Sequence, residues 1–151
     1  MDIAFSPIGY VKSDVVQRKD IGWGDDTARI VIDPAFEKGL TGLSDFTHIL
    51  VVYHLHMARF EASRHLARRP QGREDMPMVG IFAQRAKDRP NPIGVTAVKL
   101  MGVEGNVVMV AGLDAIDGTP ILDIKPYYPA YDRKADAVVP EWVDKLMEHY
   151  F

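Results

Sequence analysis

The residues best suited to chemistry lie mainly in two segments of this 151-residue chain, Arg85 to Gly94 (RAKDRPNPIG) and Asp114 to Tyr127 (DAIDGTPILDIKPY). In the first, Pro90 and Pro92 bracket Asn91, which pushes Arg89 and Asn91 toward extended backbone. Neither proline can donate a hydrogen bond, so the segment makes a poor central strand. It makes a better platform, stiff and with carbonyls left to accept bonds from a ligand. Arg85, Lys87 and Arg89 alternate, so in an extended chain they would share one side. A rigid shelf with one basic side suits a phosphate or a carboxylate. A proline-rich turn covering the end of a barrel accounts for the same residues.

In the second segment Asp114 comes straight after the apolar Val-Ala-Gly-Leu. A carboxylate at a strand end could hold a hydroxyl, an amine or a cationic centre. Asp117-Gly118 is a turn signal, and two turn-forming acids explain the pair equally well. Asp123 shares a face with Lys125, where an ion pair is the expected role.

His48, His54 and His56 fall on one face if their strand is regular, and a pair at i, i+2 can bind a metal. No carboxylate at helpful spacing completes a site. The expectation is therefore a histidine lining a pocket, with no metal. Ser6 and Ser13 lack the glycine frame of a nucleophile elbow. There is no cysteine, no phosphate-binding loop and no G-x-G-x-x-G opening a βαβ unit. A nucleotide-like cofactor would thus be bound in some other way than a Rossmann fold binds one.

The elements that must position these groups read as mainly β in a single domain. Ten prolines and twelve glycines favour strands and turns over long helices. Ala28–Asp33 is one strand. His48–His56 is a second, nearly continuous in apolar residues, as expected when both faces are buried. Val95–Val103 and Val107–Leu113 form a hairpin about Glu104-Gly105-Asn106. Pro120–Lys125 is a fifth strand, with Leu122 and Ile124 on one face. Pro140–Tyr150 is the one credible helix, with Trp142, Leu146 and Tyr150 in a stripe suited to a core or a subunit contact. Phe36–Gly39 suits a short helical turn. Arg59–Pro77 has no clear period and reads as a long polar loop.

The net charge of −3 argues against a general, charge-driven nucleic-acid binder. Basic residues nonetheless gather between Arg59 and Arg89, where a solvated loop is the plain explanation. The N-terminus has no basic stretch leading an apolar one, so no signal peptide is expected. No window is apolar enough to span a membrane.

Taken together, PIGYVKS (Pro7 to Ser13), FTHILVVYHLH (Phe46 to His56), GIFAQRAKDRPNPIGV (Gly80 to Val95) and LDAIDGTPILDIKPY (Leu113 to Tyr127) resemble the TsaA-like, or TrmO, family. The resemblance implies a single-domain β-barrel methyltransferase, here with a C-terminal helix and a long polar loop. It implies S-adenosyl-L-methionine as cofactor, bound near the interface of a homodimer. It implies a cytoplasmic enzyme that methylates N6 of threonylcarbamoyladenosine beside the tRNA anticodon.

Carried over by motif, His56, Met57, Arg85, Val95, Gly112, Leu113 and Asp114 should line the cofactor. The loop Gln17 to Asp26 should reach it through Gly22 and Trp23. Asp114 and Asp117 are the candidates to orient or remove the N6 proton. Arg64, Arg68 and Arg69 should meet tRNA phosphates. Arg85 and Arg89 suit either a phosphate or the cofactor's carboxylate. The chain departs from the family where Ala86 replaces a serine, where Leu50 replaces an aromatic, in the loop Gln17 to Asp26 and in lacking a C-terminal extension. Two alternatives therefore stand beside the first: a methyltransferase with another acceptor, and a non-catalytic S-adenosylmethionine-binding regulatory module.

Overall fold

A computed structural model describes residues 1–151. Six antiparallel strands close into a barrel: β1 (Gly9–Lys12), β2 (Thr27–Ile32), β3 (His48–His54), β6 (Ile93–Glu104), β7 (Val107–Ala111) and β8 (Pro120–Pro126). Around the barrel the order is β1-β2-β7-β6-β3-β8, and β8 pairs back onto β1. Strand alternation sends one set of side chains inward. Ile30 and Ile32, Ile49 and Val51, Val98 and Leu100, Val108 and Val110 fill the interior with Val11 and Ile121. Each such side chain contributes roughly 1.5–3 kcal/mol by leaving water.

The strand expected over His48–His56 is shorter, and only one of its faces is buried. Ile49, Val51 and Tyr53 point inward, whereas His48 and His54 are exposed and Leu50 and Val52 are half-buried. The reason is closure: a barrel gives each strand one dry face and one outer face. The strand ends because His56 N–H turns back to the His54 carbonyl at 2.8 Å. That tight turn takes His56 off the face of His48 and His54. Nowhere are three or more metal-ligating side chains gathered.

In β8 the expected faces are also corrected. Val52 lies opposite Asp123 and Tyr53 opposite Ile121, which leaves Leu122 as the extra residue of a bulge. The bulge resets the alternation, so Ile121 is buried and Ile124, not Leu122 with it, packs on the core. Asp123 and Lys125 form the expected ion pair, 2.7 Å apart, on the outside.

Between β3 and β6 the chain leaves the barrel and returns. His54 pairs directly with Ile93, and Leu55 N–H donates to the Pro92 carbonyl at 2.8 Å. The excursion is more than a polar loop. It holds α1 (Ala62–His65) and a separate ribbon of β4 (Ala67–Arg68) and β5 (Val79–Gly80), over buried Pro70, Met76 and Ile81. These pieces are too short to show a period. Asp88 ties them to the returning chain. Its carboxylate accepts from Arg59 N–H and Lys87 Nζ, each at 2.9 Å, and lies 3.8 Å from His65 Nε2.

After β8 come α2 (Pro129–Asp132) and α3 (Glu141–Met147). The helix expected to reach Tyr150 thus ends earlier, and the last residues run as a tail. Gly22 N–H donates to the His149 carbonyl (2.8 Å) and Trp23 N–H to the Tyr150 carbonyl (2.7 Å). No helix is long and apolar enough to cross a membrane.

Candidate functional site

The site is built where β7 ends. Gly112 takes a left-handed φ of 86°, open to glycine at little cost, and its N–H donates to the Asp26 carbonyl at 2.9 Å. Leu113 then sinks into the core, and the Asp114 carboxylate meets three hydroxyls. Tyr53 Oη donates to Asp114 Oδ1 at 3.0 Å and lies 3.1 Å from Thr96 Oγ1. Thr96 Oγ1 donates to the same Oδ1, and Tyr150 Oη donates to Oδ2. Phenols and an alcohol satisfy a carboxylate's lone pairs without supplying a counter-charge. The nearby cation is Arg85, whose Nη2 donates to the Val95 carbonyl.

The electrostatics agree with this geometry. Burial, and then the charge of Asp114, push the Tyr53 and Tyr150 phenols well above their ordinary value, while Arg85 pulls both down. Arg85 and Asp114 therefore act on the same pair of phenols from opposite sides of the charge balance.

Of the residues expected from sequence, Arg85, Val95, Gly112, Leu113 and Asp114 come together here. His56 and Met57 follow β3 just beyond Tyr53, and Met57 is 56% exposed. Gly22 and Trp23 join through the tail that carries Tyr150. Trp23 is itself buried, and its indole N–H donates to the Lys19 carbonyl at 3.0 Å, which makes it an anchor of the loop. Asp117 is committed to a turn: its Oδ1 accepts from Ser13 N–H at 3.0 Å, and its own N–H donates to the Val15 carbonyl.

The basic residues divide differently from expectation. Arg85, Lys87 and Arg89 do not form one basic edge, because the segment folds back on itself. Arg89 Nη1 donates to the Gln84 and Ala86 carbonyls, both at 3.0 Å, and Lys87 pairs with Asp88. Arg69 is spent on the Met76 carbonyl. Arg68 lies 4.0 Å from Asp88, and Arg64, its side chain 72% exposed, has only Glu61 at 3.7 Å.

Sequence reasoning missed Tyr53, Thr96 and Tyr150. A signal existed for two of them. Thr96 is the one hydroxyl on the inward face of β6, before Val98 and Leu100, and Tyr53 faces Gly94 across the sheet.

Comparison with known proteins places this architecture. Residues 12–133 match the model of the tRNA-methyltransferase O N-terminal domain. The chain belongs to the TrmO family. A probable S-adenosyl-L-methionine-binding protein of Pyrococcus abyssi is 36% identical over 148 residues, which is 95% of this chain and 77% of that one. The human tRNA (adenine(37)-N6)-methyltransferase is 36% identical over 104 residues, 69% of this chain and 23% of its own length. A crystal structure of TrmO from Pseudomonas aeruginosa superposes with a TM-score of 0.76 at 32% identity, over 94% of this chain. The chain spans 62% of that TrmO. The mainly β barrel expected from sequence is thus the TrmO fold.

Proposed function

We propose that this chain is an S-adenosylmethionine-dependent methyltransferase, acting in the cytoplasm on N6 of threonylcarbamoyladenosine at position 37 of tRNA, the position in the name of the human relative. The observation that carries the reading is that Asp114 and Arg85, the latter bonded to the Val95 carbonyl, both bear on the Tyr53 phenol, in a chain of this family. A carboxylate and a guanidinium about one pair of phenols suit a ligand that bears both a cationic centre and a carboxylate. When bound, the cofactor supplies an electrophilic methyl group on a sulfonium sulfur.

The protein's own task is then mainly positioning, which can remove much of the barrier to an in-line displacement. Arg85 would hold the ligand's carboxylate, and Asp114 its cationic side. The backbone at Gly112 and Leu113, together with His56 and Met57, would set the depth at which it lies. The N6 nitrogen of the acceptor is a weak nucleophile that carries a proton. Of the two candidate acids Asp114 lies in the site near Arg85, whereas the Asp117 carboxylate belongs to the turn at Ser13, so Asp114 is the one to orient or accept that proton. Arg64 and Arg68 on the excursion would meet phosphates of the anticodon stem.

A homodimer fits the outer surface. Leu50, Val52, Val95 and Ala97 form an apolar stripe on neighbouring strands, with Val95 41% exposed. Val95 belongs both to this stripe and to the Arg85 contact, so a second copy seated there would border the cofactor.

The test is mass spectrometry of tRNA nucleosides from a strain lacking the gene. Loss of the N6-methyl group, with threonylcarbamoyladenosine itself retained, is the expected result. An unchanged level with no compensating homologue would remove tRNA as the acceptor. Calorimetric binding of S-adenosylmethionine by the purified chain would then point to another acceptor.

A further inference from the structure

The Asp114 carboxylate is held unequally by its three donors. Tyr53 and Thr96, both from the barrel, converge on Oδ1. Oδ2 receives Tyr150 alone, from a tail 36 residues further along the chain. The torsion that turns a carboxylate about its last bond is broad and only weakly set by the side chain itself. Two donors on one oxygen fix where that oxygen sits, yet leave the plane free to swing about it. The donor on the other oxygen sets the plane.

The tail is itself firmly seated. Two successive backbone bonds join Gly22 and Trp23 to His149 and Tyr150. At Gly24 a Cβ would stand 2.7 Å from the carbonyl carbon of Phe151, so the close approach needs a glycine. Residues 22 to 24 therefore act as a seat for residues 149 to 151, and the seat lies on the loop expected to reach the cofactor.

We propose that Tyr150 is a positioning residue, whose hydroxyl sets the plane of the Asp114 carboxylate and so the direction in which it meets the cofactor. This rests on reading the site as one for S-adenosylmethionine. The ring of Tyr150 also packs edge-on against Phe151, with centroids 4.9 Å apart, and that contact would survive loss of the hydroxyl. Tyr150→Phe thus separates the two roles.

The experiment uses the full chain and titrates S-adenosylmethionine by calorimetry into the wild type, Tyr150→Phe and Gly24→Ala. Thermal melting is followed alongside. The Phe variant should keep its melting temperature to within a few degrees and bind about tenfold more weakly, the scale of a bond to a charged group. Gly24→Ala dislodges the tail without touching either partner and should weaken binding similarly. The double variant should lose little more, because both changes break one link. In turnover the KM for the cofactor should rise while the KM for tRNA stays put; a general loss of packing would move both. A wild-type chain that does not bind S-adenosylmethionine overturns the underlying site. A binding wild type with an equally tight Tyr150→Phe overturns only the role given to Tyr150. Tighter binding by the variant would overturn it too, by showing that the tail obstructs the site.

Discussion

The ring of Tyr53 lies in the space that a side chain at Gly94 would need. The two residues face each other across β3 and β6, and a Cβ at Gly94 would stand 2.5 Å from Cε2 and Cζ of that ring. The glycine that closes RPNPIG therefore provides an opening through which a phenol on one strand reaches Asp114 beyond the next. Gly94 has no left-handed φ, so conformational freedom is not its purpose.

Gly94→Ala should consequently force the Tyr53 ring aside. Overpacking of this kind costs about 1–3 kcal/mol. It should appear as a lower urea midpoint with an unchanged slope, together with weaker cofactor binding. A variant with the wild-type midpoint would show that the ring has room to move.

Arg89 reads as a phosphate ligand by type but acts as a staple by contact. One nitrogen of its planar head serves two carbonyls, those of Gln84 and Ala86. A lysine ammonium also carries several donors on one nitrogen, so Arg89→Ala should be the more harmful change and Arg89→Lys should recover part of the loss. Arg89→Ala should cost about 1–3 kcal/mol, and amide exchange should quicken across residues 84–92. Exchange in Arg89→Ala as slow as in the wild type would contradict the staple.

Among the three arginines offered to tRNA, exposure separates their effects. Arg64→Glu should weaken tRNA binding and reduce the salt dependence of affinity by about one counterion, with cofactor affinity unchanged. Arg69→Ala removes the donor to the Met76 carbonyl and should act first on stability. Should Arg64→Glu lower cofactor affinity as much as tRNA affinity, the excursion is not a separate RNA surface.

Alkaline pH should weaken the fold through Tyr53. Its phenol is raised from an ordinary value of 10.0, mainly by burial and next by Asp114. A folded-state value above the unfolded one means that its stabilisation is complete below about pH 10 and is lost as pH climbs toward the folded value. Urea midpoints should hold up to about pH 9.5 and fall beyond it, less steeply in Tyr53→Phe. Equal slopes in the two proteins would mean that Tyr53 does not carry the effect.

Much of the barrel is legible in the β-branched and apolar runs of Ala28–Asp33 and His48–His56 and in the hairpin about Gly105, although the second run hides its single dry face and its end at His54. The face of Pro120–Lys125 is not, because a period of two cannot reveal the extra residue at Leu122. Asp114 stands out as an acid directly after an apolar run. Its partners are less plain: alternation alone predicts packing for Tyr53 and Thr96, whose only signals are a lone inward hydroxyl and a facing glycine, and Tyr150 meets it from far along the chain. Arg85, Lys87 and Arg89 alternate in number, but alternation fixes direction only in an extended chain. Arg89 is bonded to carbonyls of its own segment instead.

Because His54 and Ile93 are paired, the chain that runs between them begins and ends at one point on the barrel rim. The entropy of closing such a length grows only with its logarithm, about 0.6 kcal/mol for each doubling. The barrel thus tolerates wide variation in the size and content of what lies between. His56, Met57 and Arg85 belong to that stretch, and so do all three arginines offered to RNA. Changes confined to that one appendage would therefore alter what is bound while leaving in place the shell that carries Asp114.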